Sequence, residues 1–156
     1  MMMGISEVRS LLDRHSIIPS RSLGQNFVID PNIIRKTIRL AELQSEDQVL
    51  EIGPGIGALT CGLEEAKRVI VIEFDRYLLP PLKETLQGAE MLEKTEILHA
   101  DAMEIKWDEF FSTRPGTWKM ISNLPYNISI KLIIDWIKMK NKFDELVLMI
   151  QKEVAD

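Results

Sequence analysis

Hydrophobic and polar positions along the chain follow two alternating periods. Five short runs, Gln48–Ile52, Arg68–Glu73, Thr95–His99, Trp118–Ser122 and Leu146–Ile150, are mostly apolar and too short for helices. They predict strands buried in a parallel sheet. Between them, Ala58–Ala66, Arg76–Gln87 and Ile128–Lys138 space their apolar residues at the helical period. Ahead of the first strand, Ser6–His15 predicts a short helix with Val8, Leu11 and Leu12 on its apolar stripe. Asp30–Pro31 has the chemistry of a helix start, an acidic cap followed by proline at the first helical position. Ile33, Ile34, Ile38 and Leu40 supply the expected buried face of that second helix. Strands alternating with helices predict an α/β fold, a doubly wound, mainly parallel sheet covered on both faces. Residues 1–29 read as a helical N-terminal extension and residues 30–156 as the domain itself.

Composition narrows this picture without deciding it. A chain of 156 residues accommodates one domain with a real core. No apolar run approaches the ~18 residues that a membrane span requires. Met1–Ser10 lacks the basic and apolar regions of a signal peptide. The single cysteine, Cys61, excludes an internal disulfide, so a reducing cytoplasm is the expected compartment. The net charge of −5 gives no support of its own to a nucleic-acid partner. The basic residues Arg9, Arg14, Arg21, Arg35, Lys36 and Arg39 do gather in the first forty positions. They read equally as a solvated helix face or as RNA contacts. His15 and His99 have no second ligand spaced for a metal, and Trp107, Trp118 and Trp136 read as core residues.

Chemistry first appears where the first strand, Val49-Leu50-Glu51-Ile52, runs into Gly53-Pro54-Gly55-Ile56-Gly57. Glycines let the backbone turn sharply and let a ligand approach it closely. About twenty residues on, Glu73 closes the second strand, where a carboxylate can accept hydrogen bonds from both hydroxyls of a ribose. Gly53-x-Gly55-x-x-Ala58 with Glu73 also fits a dinucleotide fingerprint. The loop alone leaves NAD and S-adenosyl-L-methionine as alternatives. Asp101, with Ala102 beyond the third strand, can take a hydrogen bond from the exocyclic amine of a bound adenine. A solvated loop aspartate is the competing reading.

The fourth strand ends in Asn123-Leu124-Pro125-Tyr126. The exocyclic amine of adenine is a poor nucleophile because its lone pair is delocalised into the ring. The Asn123 side-chain oxygen and the Leu124 carbonyl can each accept one amine hydrogen, drawing the nitrogen towards tetrahedral geometry. Pro125 restricts Leu124 to an extended conformation and so fixes that carbonyl. Tyr126 offers a stacking face for an extruded base.

Six segments in order resemble the ribosomal RNA adenine dimethyltransferase family. They are Leu23-Gly24-Gln25-Asn26-Phe27, Val49–Gly57, Val71-Ile72-Glu73-Phe74-Asp75, Ala100-Asp101-Ala102, Asn123-Leu124-Pro125-Tyr126-Asn127-Ile128-Ser129 and Gln151-Lys152-Glu153-Val154-Ala155. The resemblance implies the class I methyltransferase fold, with S-adenosyl-L-methionine as cofactor in place of NAD and without metal or membrane. It implies dimethylation of two adjacent adenines near the 3′ end of small-subunit ribosomal RNA, on that RNA or on an immature small subunit. The last segment points to these enzymes rather than to their antibiotic-resistance relatives, which act on the large subunit. By the same resemblance, Gln25, Asn26 and Val28 should close over the methionine end of the cofactor. Gly53 and Gly55 should contact it through the backbone, Glu73 should hold the ribose, and Asp101 and Ala102 the adenine. Asn123 should stand between cofactor and target base. Relatives of this kind continue with two more strands and a helical RNA-gripping domain, so the resemblance implies a catalytic domain truncated after its fifth strand. A non-catalytic RNA-binding or ribosome-assembly module is the alternative, and the intact Asn123–Tyr126 segment with Glu73 favours the enzyme.

Overall fold

A computed structural model describes residues 3–18, 30–124, 128–139 and 141–150. Five strands form one sheet: β1 (Gln48–Ile52), β2 (Arg68–Glu73), β3 (Thr95–His99), β4 (Trp118–Asn123) and β5 (Phe143–Met149). All neighbouring pairs are parallel and the order is β3-β2-β1-β4-β5. The expected doubly wound parallel sheet is therefore what forms. The order reverses between β1 and β4, the position at which open α/β sheets open a crevice beyond their carboxyl ends.

Both faces of the sheet are covered. Val49, Val69, Val71 and Ile121 pack on one side against α2 (Pro31–Ala41) and α3 (Leu79–Gly88). Leu50, Ile52, Ile70, Ile72 and Met120 alternate to the other side, against α4 (Trp107–Ser112) and α5 (Ser129–Lys138). That second layer is largely aromatic: Trp107, Phe110, Phe111, Trp118, Trp136 and Phe143 meet mostly edge to face. All three tryptophans lie in the core, as expected. The remaining helix, α1 (Ile5–Arg14), buries Val8, Leu11 and Leu12 in a small cluster of its own.

Three expectations need correction. In α2 the predicted cap holds, since the Asp30 carboxylate accepts from Asn32 N–H at 2.8 Å and Pro31 opens the helix. Its buried face, however, is Ile34, Thr37, Ile38 and Ala41, while Ile33 and Leu40 are about half exposed. Positions 34, 37, 38 and 41 are one helical stripe; including Ile33 and Leu40 would have spread the face beyond it. Thr37 fits there because its hydroxyl donates back to the Ile33 carbonyl at 2.8 Å. Secondly, Ala58–Ala66 is not a helix but turns leading into one 3₁₀ turn, Thr60–Gly62. Thr60, Cys61 and Gly62 are weak helix formers, and the Thr60 hydroxyl is engaged with Glu51 instead. Thirdly, the fifth strand begins at Phe143 rather than Leu146, three residues earlier.

Lys119 locks α2 to the sheet. Its Nζ donates to the carbonyls of Ala41 and Glu42 at 2.8 and 3.2 Å and pairs with Asp47 at 2.9 Å. These are terminal carbonyls of a helix, where a cation is favoured. Because Lys119 is the second residue of β4, the C-terminus of α2 lies at the amino end of the sheet and its N-terminus towards the carboxyl end. Lys119→Met should cost about 1.5–3 kcal/mol, the range for hydrogen bonds to a charged group. Urea unfolding of the variant measures it, and an unchanged midpoint would exclude this role.

Candidate active site

The glycine loop leaves β1 with three residues in the left-handed region: Gly53, Gly55 and Gly57, at φ 67°, 59° and 90°. At Gly57 a side chain would also meet Leu82 Cδ1 of α3 at 3.0 Å. Gly53 N–H donates to the Ile72 carbonyl at 2.8 Å, which ties the loop to β2. At the end of β2, Glu73 reaches into the loop. One carboxylate oxygen accepts from Gly55 N–H at 3.0 Å and the other from Asp75 N–H at 2.9 Å. The side chain is 6% exposed. Burial raises its pKa, and these two backbone donors oppose the rise.

A second acid, which the sequence reading passed over, lies beneath the loop. Glu51 is completely buried on the face it shares with Val49, and its Oε2 accepts from the Thr60 hydroxyl at 2.6 Å. It is paired in register with Val71, so Glu73 is its diagonal neighbour on the same face of the sheet. Burial, opposed by the Thr60 bond and reinforced by the Glu73 charge, pushes the Glu51 pKa up to about 8. Its signal in the sequence was a single acid among the apolar residues of a strand with two buried faces.

The remaining groups stand along the same edge. Ala100 N–H bonds the Glu73 carbonyl at 3.1 Å, which puts Asp101 two residues beyond the last β2–β3 pair, Glu73 with His99. The Asp101 carboxylate caps the 3₁₀ turn Ala102–Glu104 through Met103 N–H at 2.9 Å. Ala102 is buried. Asn123 ends β4, half-buried, and the buried Leu124 donates its N–H to the Met149 carbonyl at 3.0 Å. Between β1 and β4 the ladder pairs only Val49 with Lys119 and Leu50 with Met120. Further along, Ile52 N–H is taken by the Ser122 hydroxyl at 2.8 Å. The two strands thus part at their carboxyl ends, with the glycine loop on one lip and Asn123 on the other.

Residues 19–156 match the family model described as "Ribosomal RNA adenine dimethylase". The chain belongs to that family. It is 41% identical, over 95% of its own length and 52% of the relative's, to "Ribosomal RNA small subunit methyltransferase A" of Pelotomaculum thermopropionicum. The protein of the same name from Corynebacterium jeikeium is 39% identical, over 99% of this chain and 50% of that one. The chain therefore spans about half the length of the curated relatives it matches. Among solved structures, a dimethyladenosine transferase from Plasmodium falciparum superposes with a TM-score of 0.70 at 34% identity, over 83% of this chain and 45% of that one. The 23S rRNA methyltransferase ErmE does so with a TM-score of 0.69 at 30% identity, over 83% of this chain and 50% of that one. The fold is that of the class I methyltransferases, as the resemblance implied.

Within the family fold, α1 has a specific place. Its Val8, Leu11 and Leu12 pack on Ile56, the residue between Gly55 and Gly57, and on Leu78, just after Glu73. The helix thus covers both segments that the Gly55–Glu73 bond joins. Arg14 and His15 hold it to Glu84 of α3 at 2.5 and 2.6 Å. The His15 bond, followed by Arg14, keeps the Glu84 carboxyl below its usual range. Cys61 is buried beside the loop, where burial pushes its thiol up to about 11 and makes a thiolate nucleophile unavailable near neutrality. Among the described residues, no group of three histidines, cysteines or carboxylates is arranged to hold a metal ion. None of their helices is long and apolar enough to cross a membrane. Gln25, Asn26, Val28, Pro125 and Tyr126 lie outside the described residues, as do segments 23–27 and 151–155.

Proposed function

We propose that this domain binds S-adenosyl-L-methionine and methylates the exocyclic amine of adenine in small-subunit ribosomal RNA, dimethylating two adjacent adenines near its 3′ end. The observation that carries the reading is the Glu73 carboxylate bonded into the glycine loop, which forms one lip of the β1–β4 crevice whose other lip ends in Asn123. A carboxylate has about four acceptor positions, and Gly55 and Asp75 take two of Glu73's. The others suit the two hydroxyls of the cofactor's ribose. A dinucleotide fits less well. Residues 53–63 contain no lysine or arginine, and only a 3₁₀ turn follows the loop where a pyrophosphate would want a full helix N-terminus.

When bound, the cofactor supplies an electrophilic sulfonium methyl. Glu73 would hold its ribose, Asp101 with Ala102 its adenine, and the backbone of Gly53 and Gly55 its remaining length. By the family resemblance, Gln25, Asn26 and Val28 would serve its methionine end. Asn123 and the Leu124 carbonyl would accept the two hydrogens of the target amine and draw its nitrogen towards tetrahedral geometry. Methylation would make the amine strongly acidic, so its proton could pass to water without a basic side chain of this chain. A proline after Leu124 would restrict that residue and so steady its carbonyl, and Tyr126 would offer a stacking face to the extruded base. A cytoplasmic location follows from a ribosomal RNA substrate that is methylated on an immature small subunit.

Glu73→Ala should weaken S-adenosylmethionine binding by about 1.5–3 kcal/mol, the range for hydrogen bonds to a charged group. Titration calorimetry of both proteins, with NAD as the control that gives no binding, checks this. Unchanged affinity would remove the ribose assignment. Labelled methyl transfer to immature small subunits, compared with large-subunit RNA, separates the enzyme from an assembly module and from a large-subunit enzyme.

A further inference from the structure

The outer face of α2 carries Arg35, Lys36 and Arg39, all exposed, and the helix contains no acidic residue. In a chain of net charge −5 this is a local reversal of sign. Several other cations of the fold are paired with carboxylates: Arg68 and Arg114 with Glu96, Lys119 with Asp47, Lys67 with Glu46 and Arg14 with Glu84. Among the described residues, none of the three on α2 forms an ion pair with a carboxylate. Among the described residues Arg35 bonds the neighbouring Asn32 side chain alone, at 2.8 Å. Asp30 is spent on the Asn32 amide as the helix cap. Arg35 and Arg39 lie one turn apart, a spacing at which like charges destabilise a helix. The fold thus keeps on α2 three neighbouring cations that no described carboxylate compensates.

The stripe is placed along the way to the crevice. Lys119 fixes the C-terminus of α2 at the start of β4, and Gly62, just past the glycine loop, sits against Ile34 and Ile38. The helix therefore lies between the amino end of the sheet, where its C-terminus is, and the end where Asn123 and the glycine loop open.

We propose that this face of α2 contacts the phosphate backbone of the RNA that is methylated, an inference that rests on the function proposed above. Three cations along one turn match the run of phosphates on a single strand. Exposed Ile33 and Leu40 flank them and give the surface apolar contact with the sugars. A membrane surface is disfavoured, because the apolar stripe that would enter it (Ile34, Ile38 and Ala41) is buried on the sheet.

The test compares the unaltered chain with R35Q/K36Q/R39Q, binding a fluorescent transcript of the 3′-terminal region of small-subunit ribosomal RNA across a salt series. The variant should bind at least tenfold more weakly at low salt. Its slope of log affinity against log salt should be shallower by about 2, from ~0.7 per lost contact on single-stranded RNA. Its S-adenosylmethionine affinity and helix content should be unchanged, which separates this surface from the cofactor site and from misfolding. Equal affinity and slope in the two proteins would overturn the proposal. So would no binding by the unaltered chain, or binding to anionic phospholipid vesicles that the transcript does not compete away. If the function itself were misassigned, methyl transfer would be lacking in the unaltered chain while the RNA titration still gave its own answer.

Discussion

Glu51→Gln should make the protein more stable at pH 8 and flatten its dependence on pH. Glu51 is buried among apolar residues with its pKa raised from 4.5 to about 8, chiefly by burial. The unfolded chain releases this proton near pH 4.5, while the folded protein keeps it until about pH 8. The folded state therefore binds more protons throughout that window, and stability falls as pH rises through it. The slope is about 1.4 kcal/mol per pH unit for one group, on the order of 5 kcal/mol across the window. Glutamine has no proton to lose, and its amide oxygen can still accept from Thr60. Glu73, also raised by burial, leaves a residual slope of the same sign. Urea unfolding at pH 5, 6, 7 and 8 measures the difference. Parallel curves for the two proteins would mean that Glu51 is ionised in the fold.

The same residue shows where sequence reasoning ran short. Every strand was legible, because a run such as Val69-Ile70-Val71-Ile72 has few alternatives once glycines and helical spacings bound it. The glycine loop, Glu73, Asp101 and Asn123 were legible because each ends a strand or follows one directly, and parallel strands put all those ends on one side. Glu51 was hidden by the motif it belongs to. It stands in the strand that delivers the loop, and nothing local reveals that Thr60, nine residues on, folds back to bond it. The α2 stripe was misread because Ile33 and Leu40 are hydrophobic, and only the packing against Gly62 and the sheet decides which side faces inward. Helix α4 was missed for a related reason: Trp107, Phe110 and Phe111 have helical spacing, but a segment of 6 residues is too short for periodicity to outweigh its flanking turns. The expected helix at Ala58–Ala66 gave way to long-range contacts, with Gly57 pressed against Leu82 and Gly62 against Ile38.

Asn123→Ala should lower methyl transfer by about a hundredfold or more while leaving S-adenosylmethionine affinity within a few-fold. Asn123 ends β4 on the lip opposite the glycine loop, and its neighbour Leu124 is anchored by the Met149 carbonyl and buried in the core. The side chain therefore projects from a rigid strand end, the kind of support a positioning group requires. In the ground state the amine of adenine is planar, and an acceptor at Asn123 gains only an ordinary hydrogen bond. As the nitrogen pyramidalises and takes on positive charge, its hydrogens become stronger donors, and the same contact strengthens. An interaction of that kind acts on turnover rather than on binding. Removing one preorganised hydrogen-bonding group from a reacting centre costs about 10²–10³ in rate, roughly 2.7–4 kcal/mol. Single-turnover transfer of labelled methyl groups to immature small subunits, with calorimetry of the cofactor alongside, reads the two quantities separately. Glu73→Ala supplies the contrast, since it should weaken cofactor binding and recover much of its rate at saturating S-adenosylmethionine. Near-normal turnover in Asn123→Ala, or a loss that saturating cofactor restores, would show that Asn123 does not act on the amine.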